Sequence, residues 1–159
     1  MITTRRRRFG AAFASTLIAA ALALGSAMPA QANPAYRGKD PQSSGCSAGS
    51  YTVKSWGLYN SKYGQYQGTA ELRYSPKCGT NWIRVTSNVA GNEVRGEIIT
   101  NYGASGAYRQ GSGIVINRVR TDWSTMIEAP GSACVYVSAS ITDIRSGRVE
   151  GRLATQTVC

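Results

Sequence analysis

From Tyr51 to the C-terminus, apolar residues alternate with polar ones in short runs separated by turn formers. The period is two, and helical periodicity is absent from this part of the chain, so the pattern predicts strands. The central pair is the clearest: Leu72 and Tyr74 alternate with Glu71 and Arg73, and Ile83 and Val85 with Trp82 and Arg84. Between them Pro76-Lys77-Cys78-Gly79 suits a tight reversal, because proline fixes φ and glycine tolerates positive φ. Around this hairpin the same reading predicts a strand over Tyr51–Tyr59, with a glycine bulge at Gly57. Further strands are predicted over Tyr66–Ser75, Thr80–Ser87 and Glu93–Tyr102. Ile114–Val119 and Trp123–Glu128 read as one strand, bent near Arg120-Thr121-Asp122. Cys134–Ile144 alternates on Val135, Val137, Ala139 and Ile141, and Arg145-Ser146-Gly147 turns it into a last strand through Val149, Gly151, Leu153 and Thr155. Gly103–Gly113 is the longest predicted loop. About seven antiparallel strands make an all-β domain, a sandwich or a small barrel.

The N-terminus departs from that pattern. Arg5–Arg8 precede an apolar, alanine-rich run from Phe9 to Leu24, and Ala30-Gln31-Ala32 fits the small-x-small rule for signal cleavage. Residues 1–32 are therefore expected to be a signal peptide, exported by the general secretory or the twin-arginine route. The run is too short and alanine-rich for a stable membrane anchor. Residues 33–49, rich in glycine, proline and serine, read as an arm, and residues 50–159 as the exported β domain. Four of the 18 basic residues and none of the eight acidic ones lie in the leader, so the net charge falls from +10 to +6 without it. The remaining lysines and arginines are spread thinly, unlike the concentrated basic face of a nucleic-acid binder.

Cysteine usage adds covalent structure. Cys46, Cys78, Cys134 and Cys159 all lie beyond the leader, and an even number in an exported chain argues for two disulfides. Of the three pairings, Cys46–Cys78 and Cys134–Cys159 are favoured. Each closes a loop of moderate length, and together they pin the arm to the central turn and the C-terminus to a late strand.

Candidate chemistry is sparse. The chain has no histidine, which removes Ser-His-Asp and Cys-His arrangements and the commonest zinc ligand. Asp40, Glu71, Glu93, Glu97, Asp122, Glu128, Asp143 and Glu150 show no spacing that picks out a catalytic pair, and each reads as the partner of a nearby basic residue. No calcium loop, SxxK motif or cofactor signature is present, so neither catalysis nor a cofactor is expected. Recognition is the better prospect. If Leu72, Tyr74, Ile83 and Val85 face the core, Arg73, Trp82 and Arg84 emerge on the polar face of the central hairpin, an aromatic flanked by guanidinium groups; the other reading of the same residues is a buried Trp82 with the arginines capping the sheet surface. Tyr59, Tyr63 and Tyr66 form a tyrosine-glycine ribbon at another turn, in a chain with nine tyrosines and two phenylalanines.

The run Tyr36-Arg37-Gly38-Lys39-Asp40-Pro41, then Ser44-Gly45-Cys46, Thr52-Val53 and Glu71 through Val85, resembles the YjfA-like family, small exported proteins of Gram-positive bacteria, chiefly actinobacteria. The likeness is specific from Tyr36 to Val85 and weaker beyond, with Trp123-Ser124-Thr125-Met126 and the late cysteines in agreement. Some members are similar to the adaptor subunit of secreted antibacterial umbrella toxin particles, which joins a repeat-containing toxin stalk to a lectin-like subunit. The resemblance thus implies a secreted protein-binding module with those two partners. The charge and the Arg/Trp/Tyr residues support an alternative, a binder of cell-wall or extracellular polyanions. A hydrolase would require a carboxylate pair in a cleft.

Overall fold

A computed structural model describes residues 33–100, 110–129 and 133–159. The leader expected over residues 1–32 lies outside them, as does most of the loop expected over Gly103–Gly113. The described chain begins with a 3-10 turn at Pro34–Tyr36 and continues as an arm of successive turns to Ser50. Nine strands follow: β1 (Tyr51–Tyr59), β2 (Tyr66–Ser75), β3 (Thr80–Ser87), β4 (Glu93–Thr100), β5 (Gln110–Asn117), β6 (Thr121–Trp123), β7 (Ile127–Glu128), β8 (Val135–Asp143) and β9 (Arg148–Val158).

All pairings are antiparallel, in the order β5-β4-β8-β9-β1-β2-β3-β6, with β7 also on β3. β5 comes alongside β6 and β7 without joining them in a ladder, so the sheet curls into a nearly closed barrel. Of the two architectures open to the sequence, the barrel is the one formed. β1 and β9 meet at a single register pair, Tyr59 with Arg152, and beyond it Trp56, Leu153 and Val158 pack against the core.

Period-two alternation builds the interior. Val94 and Ile98 of β4, Val135, Val137, Ala139 and Ile141 of β8, and Leu72, Ile83 and Val85 of the central hairpin point inward with Leu58 and Ala70. Burying a side chain of this size contributes about 1.5–3 kcal/mol. The central turn forms as its residues dictate. Gly79 sits at φ +63°, and its amide, with that of Cys78, donates to the Ser75 carbonyl.

Three local expectations are corrected. β5 starts at Gln110, inside the expected loop, because its backbone pairs with β4 whatever the glycine content; Gly113 faces Ile98. Ile114–Val119 and Trp123–Glu128 are not one bent strand. β5 pairs β4, whereas β6 and β7 pair β3, and two different neighbours pull the runs apart. Gly57 keeps regular register with Thr69, and the register shifts of β1 fall between Thr52 and Lys54 and between Leu58 and Tyr59.

Both disulfides are the favoured ones, Cys46–Cys78 and Cys134–Cys159. Disulfides of this kind belong to an oxidising compartment. No helix among the described residues is long and apolar enough to cross a membrane.

Candidate functional site

The β1–β2 hairpin brings three of the sequence-selected residues together at its tip. Asn60 organises the turn. Its side-chain oxygen accepts from the amides of Lys62 and Tyr63, its own amide donates to the Gln65 carbonyl, and its carbonyl accepts from Gly64. Its side-chain nitrogen donates to Glu150 of β9 at 2.7 Å, which ties the tip to the barrel wall. On this frame Tyr59, Tyr63 and Tyr66 are 53%, 65% and 46% exposed. The rings of Tyr59 and Tyr66 meet edge to face at 5.7 Å, and Lys62 Nζ lies 4.9 Å from the Tyr63 ring centre. The Tyr66 hydroxyl is hydrogen-bonded to Thr69. Gly57 makes room for Tyr59, because a Cβ there would stand 2.6 Å from Tyr59 Cε2. Exposed aromatic rings on a pre-formed turn lose little freedom on binding.

Of the other three selected residues, Arg73 lies seven positions along β2 from Tyr66, about 23 Å away at strand rise, and Trp82 and Arg84 lie alongside on β3. Trp82 faces the side of the sheet that alternation predicts, but that side is covered. The arm crosses it, and Trp82 is only 3% exposed, packed with Cys46, Cys78, Met126, Tyr36 and Trp123. Of the two readings open for Trp82, the buried one holds: the strand is buried on both faces from Thr80 to Ile83. The arm is fastened by the Cys46–Cys78 disulfide and by backbone bonds from Gly38 to Met126 and from Met126 to Lys39, both 2.9 Å. The half-buried Trp123 indole donates to Asp40 at 2.7 Å, and Arg37 pairs with the buried Glu128 at 3.0 Å.

Beside Trp82 a cleft of about 240 Å³ remains between arm and sheet, lined by Arg73, Arg84, Trp123, Gln42, Ser47 and Ser50 among others. Glu71 sits between the two arginines, 2.6 Å from Arg84 Nε and 4.0 Å from Arg73 Nη1, and also accepts from Thr52. The Arg84 hydrogen bond holds the Glu71 carboxyl below its usual range; burial opposes this, and Thr52 and the two positive charges add to it. Burial, then the Arg84 charge, weighs against the Arg73 cation, with Glu71 offsetting only part.

The remaining carboxylates also have structural partners. Asp40 would be raised by burial, but the Ser43 amide, the Trp123 indole and the Gln42 amide together hold it low. Asp143 caps the β8–β9 turn, Glu93 lies near Arg95, Glu97 near Ser138, and Asp122 accepts from the Trp123 amide. Glu150 pairs with Asn60 and not with Arg148 or Arg152, because the hairpin tip reaches it across β9.

Sequence reading missed Asn60 as the organiser of the tip, and Gln42, Ser47 and Trp123 as walls of the cleft. The signal for the latter was present. A Cys46–Cys78 bond requires the arm to lie against the central turn, and thus beside Trp82.

Residues 34–143 match the family described as "Protein of unknown function (DUF2690)". The chain is also 38% identical over 77 residues to "Uncharacterized protein YjfA" of Bacillus subtilis (strain 168), a stretch covering 46% of this chain and 48% of that protein. The chain thus spans about half the length of this relative. No solved structure matches it. With the family match covering most of its length, the chain belongs to the DUF2690 family of proteins of unknown function, in keeping with the YjfA-like resemblance of its N-terminal half.

Proposed function

We propose that this chain is a secreted, non-catalytic protein-binding module of actinobacterial origin, an adaptor subunit of an extracellular antibacterial toxin complex. Its partners are a repeat-containing toxin stalk and a lectin-like subunit. The observation that carries the binding reading is the tyrosine tip, three exposed rings on a turn fixed by Asn60 and Glu150. Tyrosine is enriched at protein interfaces because it offers a large amphipathic area for two rotatable bonds. The resemblance over Tyr36–Val85 supplies the adaptor role, and the two disulfides suit an extracellular life.

The second reading, a binder of cell-wall or extracellular polyanions, draws on the +6 charge expected of the leaderless chain. Salt separates the two, since spread charges lose their attraction as ionic strength rises and a packed aromatic interface does not. The test is capture from the culture supernatant of the producing strain with tagged protein, at about 0.15 M and then about 1 M salt. Recovery of a large repeat protein or a lectin-like protein at both salts supports the adaptor reading. Recovery of wall polymer alone, released at high salt, replaces it with the polyanion reading.

A further inference from the structure

We propose that the cleft between the arm and the β2–β3–β6 face is a binding site for one compact oxyanion of the phosphate class, free or carried as an ester on a polymer. This goes beyond the tyrosine-tip reading and does not depend on it. Two guanidinium groups line the cleft; Glu71 is bonded to Arg84 and lies 4.0 Å from Arg73, and on the arm side Asp40 is taken up by the Trp123 indole and the Gln42 backbone amide. Arg73 is fixed: its Nη2 donates to the Ser50 hydroxyl at 2.9 Å and its Nη1 to Thr52, while its Nε is buried without a partner. Arg84 uses Nε for Glu71, and no other side-chain bond is formed by it among the described residues. Its two terminal nitrogens are therefore an unused fork. On the arm side, Gln42 accepts from the Ser47 hydroxyl at 2.9 Å, which leaves its amide nitrogen free to donate.

Free donors thus come from β3 and from the arm, with the Arg73 charge held beside them by Ser50 and Thr52. A tetrahedral oxyanion can use donors from several directions, whereas a planar carboxylate takes its donors close to its own plane. Partial burial strengthens each contact, because screening by solvent is reduced. The arm is needed to complete the site, which gives the Cys46–Cys78 tether a role in binding.

Two of the three tryptophans, Trp82 and Trp123, line the cleft and report on it. Titration of the disulfide-intact protein with inorganic phosphate, against chloride at matched ionic strength, is expected to give a saturable fluorescence change. Arg84→Gln, which keeps one side-chain donor, is expected to weaken apparent affinity about tenfold or more. Ala48→Phe, at an exposed arm position beside the cleft, is expected to block it without loss of folding. A polyphosphate chain binding far tighter per phosphate than the free ion, with the same sensitivity to both variants, assigns a polymer-borne ligand; equal affinity assigns the free ion. A response that chloride reproduces, or that survives in both folded variants, or no response at all, overturns the proposal. None of these outcomes bears on the tyrosine tip.

Discussion

Glu71 joins more of the molecule than any other carboxylate described, touching Thr52 of β1 and both cleft arginines. Its carboxyl is held below the ordinary value of 4.5 in the folded protein. Above that value both folded and unfolded chains are ionised, and the contribution to stability is complete. As pH falls, the unfolded chain binds the proton first, so stability declines down through the lowered native value. Urea denaturation of Glu71→Gln should therefore show a shallower acid loss than wild type below about pH 4.5, and a smaller difference between the two proteins at pH 3 than at pH 7. Gly57 offers a test of another kind. A valine suits a strand, and what its Cβ meets is the movable Tyr59 ring. Gly57→Val should shift stability by less than about 1 kcal/mol while displacing Tyr59 and weakening partner capture. Glu71 beside Arg73 was legible in the sequence because i, i+2 neighbours share a strand face; its closer partner Arg84 was not, since it stands opposite Glu71 on β3 by virtue of the register. Asn60 was not, since an Asx turn depends on where the amides of Lys62 and Tyr63 end up, and any polar turn residue looks alike beforehand.

Among the elements, the strands were legible wherever one face meets the core and the other solvent, as in β4, whose burial alternates throughout, and β8, whose burial alternates as far as Thr142. Legibility failed where that condition fails. β3 is covered twice, by the core and by the arm, so Trp82 satisfied the polar-face pattern while being buried. β5 carries glycines that composition assigns to loops, yet its membership rests on backbone pairing to β4. Two consequences of the covered β3 are measurable. Trp82→Ala should cost about 3–5 kcal/mol in chemical denaturation, as expected of a buried tryptophan, where an exposed one would cost well under 1. Replacing Cys46 and Cys78 together by serine should cost about 3–4 kcal/mol from loop-closure entropy over a separation of 32 residues. It should also raise the exposure of Trp82 and Trp123, seen as a red shift of tryptophan emission.

At the scale of the whole molecule, the barrel carries two dissimilar surfaces, a tyrosine hairpin tip and, about 23 Å along β2, an arginine-lined cleft roofed by the arm. Such separation suits a protein that joins things. The oxidised cysteines and the antiparallel architecture were accessible from composition and spacing, because cysteine parity and period-two alternation are each local or countable properties. The closure of the sheet was not, since it depends on β5 coming round to β6 and β7, a contact between chain segments that no periodicity encodes. The central claim is that the tyrosine tip is the partner-binding surface. Its most direct test is side-by-side capture from producer supernatant with wild-type protein and the triple variant Tyr59→Ser, Tyr63→Ser, Tyr66→Ser, with partner yields quantified by mass spectrometry. All three side chains are exposed, so the variant should keep its fold and lose its partner by at least about tenfold. Equal recovery of the same partner by the folded variant would contradict the account.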